Sequence, residues 1–429
     1  MGKHRRRSWI PHGHEVLLED HFAHLREKEM SNGSAMNGIS NGYLEPEDEK
    51  PASAFAKIFQ ASTYFPISQQ SPSLNHANGT TPLVTTKESP IKKNKQQTSN
   101  KSLLLHALES FSVGFYVFGF VFSPLVLTII SFTVLFFPPL WIFAIPYFCW
   151  FIYDRSTPCK GSRPMKFFRS LFVWKYMKRY FPMRIVKTAE LPADRNYIVA
   201  AHPHGILSFG TFLTFCTEAP GFSELFPGLQ RRYAVTLPIQ YWFPIRRELL
   251  MLTNTISSEA SAIEHVLEER ECGTVVGIVP GGADEALNSF PDNYKLTLKN
   301  RKGFIKLSLK YGASLVPMYT FGETSTYKQI PNPEGSRIRR FQSSLKHILG
   351  VTLPFFYGHG LVNSFFGFMP FRVPLNTVIG KPISVQKVED PSYKQISDLH
   401  KKYCQALSDL FDEHKCKYGV PKTAKLEFV

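Results

Sequence analysis

The sequence predicts an α/β fold attached to a membrane hairpin, and three observations carry the prediction. Beyond residue 155, short apolar runs alternate with helical patterns in the manner of an α/β sheet. Residues 110–153 contain no charged side chain. Across residues 197–210 a buried-strand pattern runs through His202-Pro203-His204-Gly205 into a helical one. In open α/β sheets such strand ends are where sites gather.

Three regions follow in order: 1–100, 101–154 and 155–429. Residues 1–100 are rich in Asn, Ser, Gln, Lys and Pro and read as a disordered cytosolic arm. Lys3, Arg5, Arg6 and Arg7 are followed by polar sequence, so no secretory signal peptide is expected there. Arg6 stands where an N-myristoylation motif needs Ser or Thr.

Residues 101–154 read as a hairpin. One helix over 110–153 would reach roughly 65 Å, about twice a bilayer's hydrocarbon core. Two helices use that length, turning at Pro124 or at Pro138-Pro139, either spanning fully or re-entering. Lys92, Lys93, Lys95 and Lys101 precede the stretch, and Arg155, Lys160, Arg163, Lys166 and Arg169 follow it. Basic flanks on both sides place both termini in the cytosol. The sequons at Asn32 and Asn78 then stay unmodified.

Within residues 155–429, strands are expected at 197–201, 233–237, 274–279, 314–319 and 376–379. Helices are expected over 208–218, after the cap Ser258, over 301–311, and from near Pro391. The net charge of +16 favours phosphates and anionic lipid surfaces as partners. Without zinc-finger spacing or an RNP motif, nucleic acid is not expected. The six cysteines show no paired spacing, which suits a reducing compartment.

Chemistry concentrates on a few residues. A neutral imidazole is the usual group for taking a proton from a hydroxyl, and His204 is the candidate base, with His202 beside it. Pro203 stiffens the turn, and Gly205 permits a tight bend or close approach by a ligand. Gly281-Gly282 ends a strand, where backbone N–H groups can point at a developing oxyanion. Glu285 is placed to orient an imidazole or line the pocket. Arg301, Lys302 and Lys306, with Lys299 and Lys310, form a basic strip suited to phosphates. The same patterns also fit a hydrogen-bonded structural turn, a His-x-His metal pair, a plain tight turn and a solvated basic face. No further ligand spacing supports a metal, so none is expected. Gly-x-Ser-x-Gly, GxGxxG and P-loop motifs are all missing, which disfavours serine hydrolases, dinucleotide enzymes and nucleotidases.

Taken in order, His202-Pro203-His204-Gly205, Gly281-Gly282-Ala283-Asp284-Glu285-Ala286-Leu287, Arg301-Lys302-Gly303-Phe304, Leu315-Val316-Pro317, Phe321-Gly322-Glu323 and Val378-Ile379-Gly380-Lys381-Pro382-Ile383 resemble the type 2 diacylglycerol acyltransferase family. The resemblance runs from the hairpin to the C-terminus. It implies a glycerol-phosphate-acyltransferase-like mixed sheet with flanking helices. It also implies esterification of diacylglycerol by fatty acyl-CoA at the endoplasmic reticulum membrane and on lipid droplets. Acyl-CoA is then a co-substrate, membrane lipids are partners and no cofactor is needed. A homo-oligomer is compatible with this reading. Relatives that replace the first histidine keep the second, which favours His204 over His202. The related His-x4-Asp pattern lacks its acid here, since Leu207 and Phe209 stand at that spacing. Where relatives carry Gly and a basic residue, this chain reads Thr253-Asn254-Thr255-Ile256-Ser257-Ser258-Glu259. The alternatives are a monoacylglycerol or fatty-alcohol acyltransferase, and a catalytically idle lipid-binding membrane protein.

Overall fold

A computed structural model describes residues 94–268, 272–349, 352–360 and 366–429, all within one compact unit, Ser89–Val429. Most of the N-terminal arm and both sequons lie outside the described residues.

The apolar region opens with a helical run beginning at Asn94: α1 (Asn94–Val117), a π-turn (Phe118–Phe122) and α2 (Ser123–Val134). A short 3-10 turn over Pro138–Leu140 leads to α3 (Trp141–Tyr153), which is 13 residues long. Ser102–Val134 is the one described helix long and apolar enough to cross a membrane, and only 11% of its most apolar window is buried. A core helix would be mostly covered. At 1.5 Å per residue α3 reaches about 20 Å, short of a hydrocarbon core of about 30 Å. Where a hairpin, spanning or re-entrant, was expected, the described residues hold one helix of membrane length followed by the 13-residue α3. Pro138-Pro139 do mark the break, because proline cannot continue the α2 ladder.

Half of the long helix lies against the folded domain. Val113, Tyr116 and Val117 pack on Val173, Trp174 and Met177 of α4 (Phe172–Tyr180). Glu109, buried on α1, is held by Arg372 at 2.5 Å and Arg179 at 3.4 Å. Two points of the apolar segment are held by adjacent arginines. Arg246 bonds Ser123 Oγ at 2.6 Å and the Gly119 carbonyl, while Arg247 donates to the Phe151 carbonyl at 2.6 Å.

Seven strands make the central sheet. In chain order they are β1 (Arg184–Lys187), β2 (Tyr197–His202), β3 (Arg231–Thr236), β4 (Thr255–Ser257), β5 (Thr274–Ile278), β6 (Ser314–Phe321) and β7 (Asn376–Ile379). Their spatial order is β1-β7-β6-β2-β5-β3-β4. The run β6-β2-β5-β3-β4 is parallel, and β7 runs antiparallel to β6 with β1 parallel to β7. The sheet is mixed, as the resemblance implied.

β2, β5 and β6 are buried along their whole length, which is why they read as continuous apolar runs. Each buried Val, Leu or Ile contributes about 1.5–3 kcal/mol of transfer free energy. β1 is half-exposed and β4 is three residues long, too brief for a periodic signal, and neither was expected. β4 is built from the Thr253–Glu259 departure.

Helices cover both faces. α5 (Phe209–Cys216) follows β2 and ends where buried Arg232 takes the Phe215 carbonyl at 3.1 Å and the Thr217 carbonyl at 2.8 Å. α6 (Arg246–Leu252) carries the two arginines above, and α7 (Ala260–Glu268) leads to β5. α8 (Gly282–Leu287) follows β5, and α9 (Gly303–Tyr311) precedes β6. α10 (Tyr393–His414) opens with a capping box: Ser392 Oγ accepts from Gln395 N at 3.3 Å and Gln395 Oε1 accepts from Ser392 N at 2.9 Å. Its Tyr403, Leu407 and Phe411 complete the core.

Candidate active site

Because β2, β5 and β6 are adjacent and parallel, the loops at their C-terminal ends share one edge of the sheet. Those loops are His202-Pro203-His204-Gly205, Gly281-Gly282 with Glu285, and Gly322-Glu323. Segments up to about 120 residues apart in the sequence are thus brought together by strand order.

His204 sits half-buried on the loop after β2. Its Nδ1 lies 3.0 Å from the Gly205 carbonyl. A carbonyl accepts only, so Nδ1 carries the proton and Nε2 keeps a free lone pair. Burial lowers its pKa below the usual imidazole value, and the Gly205 hydrogen bond opposes that shift. The ring is thereby kept neutral and able to accept a proton.

His202 differs in every respect. It is fully buried at the end of β2, with Nε2 at 3.0 Å from Tyr403 Oη, which itself donates to the Ala200 carbonyl at 3.1 Å. Burial pushes its pKa down to about 3, and its Nδ1 has no partner among the described residues. This ring ties α10 to β2.

Glu285 is buried at the start of α8, and its carboxylate does not meet the imidazole. Oε1 accepts from the His204 backbone N–H at 2.7 Å and Oε2 from Thr297 N–H at 3.0 Å. Burial raises its pKa to about 7 against the pull of those two donors. The ring's orienting partner is the Gly205 carbonyl, and Glu285 holds the backbone beneath it.

The glycine pair divides. Gly282 N–H is spent on the Val279 carbonyl at 3.1 Å, which closes the turn. The N–H groups of Gly205 and Gly281 have no partner among the described residues. Pro203 is buried and its bond to His202 is cis.

The basic strip divides as well. Arg301 is paired with Asp284 at 2.6 Å, and Asp284 also takes Lys346. Lys302 lies 4.7 Å over the Tyr393 ring, and Lys310 pairs with Glu264 at 2.8 Å. Lys306 is exposed with no partner among the described residues.

Two further side chains border the site. Tyr116 of α1 donates to the Leu207 carbonyl at 3.2 Å and packs on Phe209 and Phe212. The long apolar helix therefore touches the histidine loop. Glu323, in the loop after β6, accepts from Phe209 and Gly210 N–H at 2.8 Å each. The Phe321-Gly322-Glu323 motif pointed to this position, but spacing alone could not say what the carboxylate meets. An open cleft of about 610 Å³ lies elsewhere, lined by Lys178, Arg184, Glu224 and Leu225 among others. Among the described residues no group of three or more His, Cys, Asp or Glu is placed to hold a metal ion, and all six cysteines are free thiols.

Fold and site together describe an α/β protein that presents an imidazole at a strand end beside a membrane-length apolar helix. The chain belongs to the diacylglycerol acyltransferase family, whose family model matches residues 133–429. It is similar to 2-acylglycerol O-acyltransferase 1 of Bos taurus, at 40% identity over 76% of this chain and 96% of that protein. The Mus musculus protein of the same name is 44% identical over 67% of this chain and 86% of its own. Diacylglycerol O-acyltransferase 2 of Homo sapiens is 42% identical over 67% of this chain and 74% of its own. Among solved structures, the 1-acyl-sn-glycerophosphate (LPA) acyltransferase PlsC from Thermotoga maritima overlaps with a TM-score of 0.32 at 12% identity, covering 73% of this chain and 95% of that one. That overlap is too loose to bear on the mechanism.

Proposed function

We propose that the protein is an acylglycerol acyltransferase that moves a fatty acyl group from acyl-CoA to the free hydroxyl of diacylglycerol, giving triacylglycerol, with His204 as general base. Family membership supports acyl transfer to an acylglycerol. The observation that carries the assignment of the base is the Nδ1 hydrogen bond to the Gly205 carbonyl, which leaves Nε2 free.

In this reading Nε2 takes the proton as the acceptor oxygen attacks the thioester carbonyl. The resulting oxyanion is held by N–H groups of Gly205 and Gly281. Collapse breaks the carbon–sulfur bond, and the imidazolium returns the proton to the CoA thiolate. General-base help of this kind is worth about 10²–10⁴ in rate. The CoA phosphates rest on Lys306 and Lys302, and on Arg301 once it leaves Asp284. The lipid acceptor approaches along α1, where Tyr116 and Phe209 supply apolar surface at the histidine loop. The reaction takes place at the endoplasmic reticulum membrane, with the site facing the cytosol.

The test is turnover by purified full-length protein with labelled acyl-CoA and a panel of acceptors. Wild type forms triacylglycerol, and His204→Ala loses turnover by about 10²-fold or more while remaining folded and membrane-inserted. Retained turnover removes His204 from the mechanism. A second reading, a monoacylglycerol acceptor, is favoured by the 2-acylglycerol O-acyltransferase relatives at 40% and 44% identity. The acceptor panel separates the two by which glycerolipid is esterified.

A further inference from the structure

We propose that Glu323 is a positioning residue, holding the histidine loop and the first turn of α5 in the geometry that acyl transfer requires. The proposal rests on the reading of His204 as base, and Glu323 has no part in the chemical steps above.

Both carboxylate oxygens are committed to the beginning of one helix. Oε1 accepts from Phe209 N–H and Oε2 from Gly210 N–H, each at 2.8 Å, with the side chain 1% exposed. These are donors that a helix's first turn leaves unsatisfied, and the dipole there favours an anion. α5 has no side-chain cap of its own at Ser208. Glu323, reaching across from β6, supplies it.

The route of the side chain explains Gly205 and, together with Thr320, Gly210. A Cβ at Gly205 would come within 2.7 Å of Glu323 Cγ and 2.9 Å of Oε1. One at Gly210 would come within 2.7 Å of Thr320 Cγ2 and Oγ1 and within 2.9 Å of Glu323 Oε2. The acid thus passes against the backbone on both sides of the loop at points that exclude any side chain. Between those points, Ser208 is in the left-handed conformation at φ 48°, and its Oγ donates to the His204 carbonyl at 2.6 Å. A continuous path therefore runs from Glu323 through the start of α5 and Ser208 to the residue carrying the base. Glu285 grips the same residue from the opposite loop through its N–H. Removing Glu323 frees the helix start and lets the left-handed Ser208 relax, which moves the imidazole.

The experiment uses full-length Glu323→Ala and Glu323→Gln in detergent or nanodiscs, with amide hydrogen exchange at residues 209–210 and acyl-CoA kinetics per mole of monodisperse protein. Glutamine keeps one acceptor oxygen but sets an NH2 against the second N–H, so it folds as an isostere with a weakened hold. Exchange at Phe209 and Gly210 accelerates in both variants. For Ala, kcat falls about 100-fold while KM for acyl-CoA stays within about threefold, and Gln falls between Ala and wild type. The kcat losses of Gly205→Ala and Glu323→Ala combine to less than their product, because the added methyl meets Glu323 only when Glu323 is present. Unchanged exchange, or full kcat in both variants, overturns the proposal. If wild type itself transfers no acyl group, the general-base reading falls and the exchange result still decides whether Glu323 holds the loop.

Discussion

The strand-end loops and the apolar segment solve the same problem with opposite charges. At the loops, backbone N–H groups are left over where strands stop and helices start, and two buried acids collect them: Glu285 from His204 and Thr297, Glu323 from Phe209 and Gly210. At the apolar segment two carbonyls draw in charged donors, that of Gly119 in the π-turn, which also accepts from Ser123 Oγ, and that of Phe151 near the end of α3. Two buried arginines collect those. The acids hold the loop that carries His204, the proposed base. The arginines hold helices whose outer faces are apolar, with Leu125, Phe132, Phe136, Ile142 and Phe143 exposed. Loss of an acid should therefore damage chemistry first, and loss of an arginine should damage attachment first.

That contrast can be broken by experiment. Glu285→Ala is expected to cut kcat by about 10²-fold, since a displacement of the base on the order of 1 Å is enough to do so. Steady-state kinetics at saturating acyl-CoA check it. Normal kcat would mean that the acids do no more than fill space.

Arg247→Ala should reverse the pattern. It removes a donor from the Phe151 carbonyl and an ion pair with Glu248 at 2.7 Å, while Glu248 keeps Tyr147 and Asp154 keeps Arg163. Losing a charge-assisted hydrogen bond of this kind costs about 1.5–3 kcal/mol, so Tm in detergent should fall by several degrees while kcat per folded molecule is kept.

A subtler effect concerns pH. Glu285 holds its proton more tightly in the folded chain, with a pKa raised by burial from 4.5 to about 7. Between those values the folded state carries the extra proton, so this residue's contribution to stability falls as pH rises towards 7 and levels off above it. Glu285→Gln removes that slope. Melting curves between about pH 5 and 8 should show the wild type losing on the order of 2 kcal/mol relative to the variant as pH rises. Parallel curves would refute the raised pKa.

The smallest effect is expected outside both regions. Lys306→Ala should raise KM for acyl-CoA a few-fold, about 1 kcal/mol or less at an exposed cation, and leave kcat alone.

Much of this was legible in the residues. Fully buried strands announce themselves as apolar runs because both faces are covered, so β2, β5 and β6 fell within a few residues of expectation, as did the partly buried β3 and β7. β1 and β4 did not, being short and held by pairing with neighbours distant in the chain. Arg301, Lys302 and Lys310 read as one phosphate-binding strip. Asp284, Tyr393 and Glu264 occupy them in the folded chain, and nothing in spacing along one helix reveals partners on other elements.

The sequence by itself determined the α/β alternation, the apolar segment with its break at Pro138-Pro139, and the loop motifs that mark the family. Each is a local pattern of burial, charge or backbone freedom. Only the tertiary structure decided that His202 binds Tyr403 while His204 keeps a free nitrogen, that Glu285 grips backbone and not the ring, and that α3 stops after 13 residues. These depend on which strands lie side by side and where each helix stops, and long-range packing sets both.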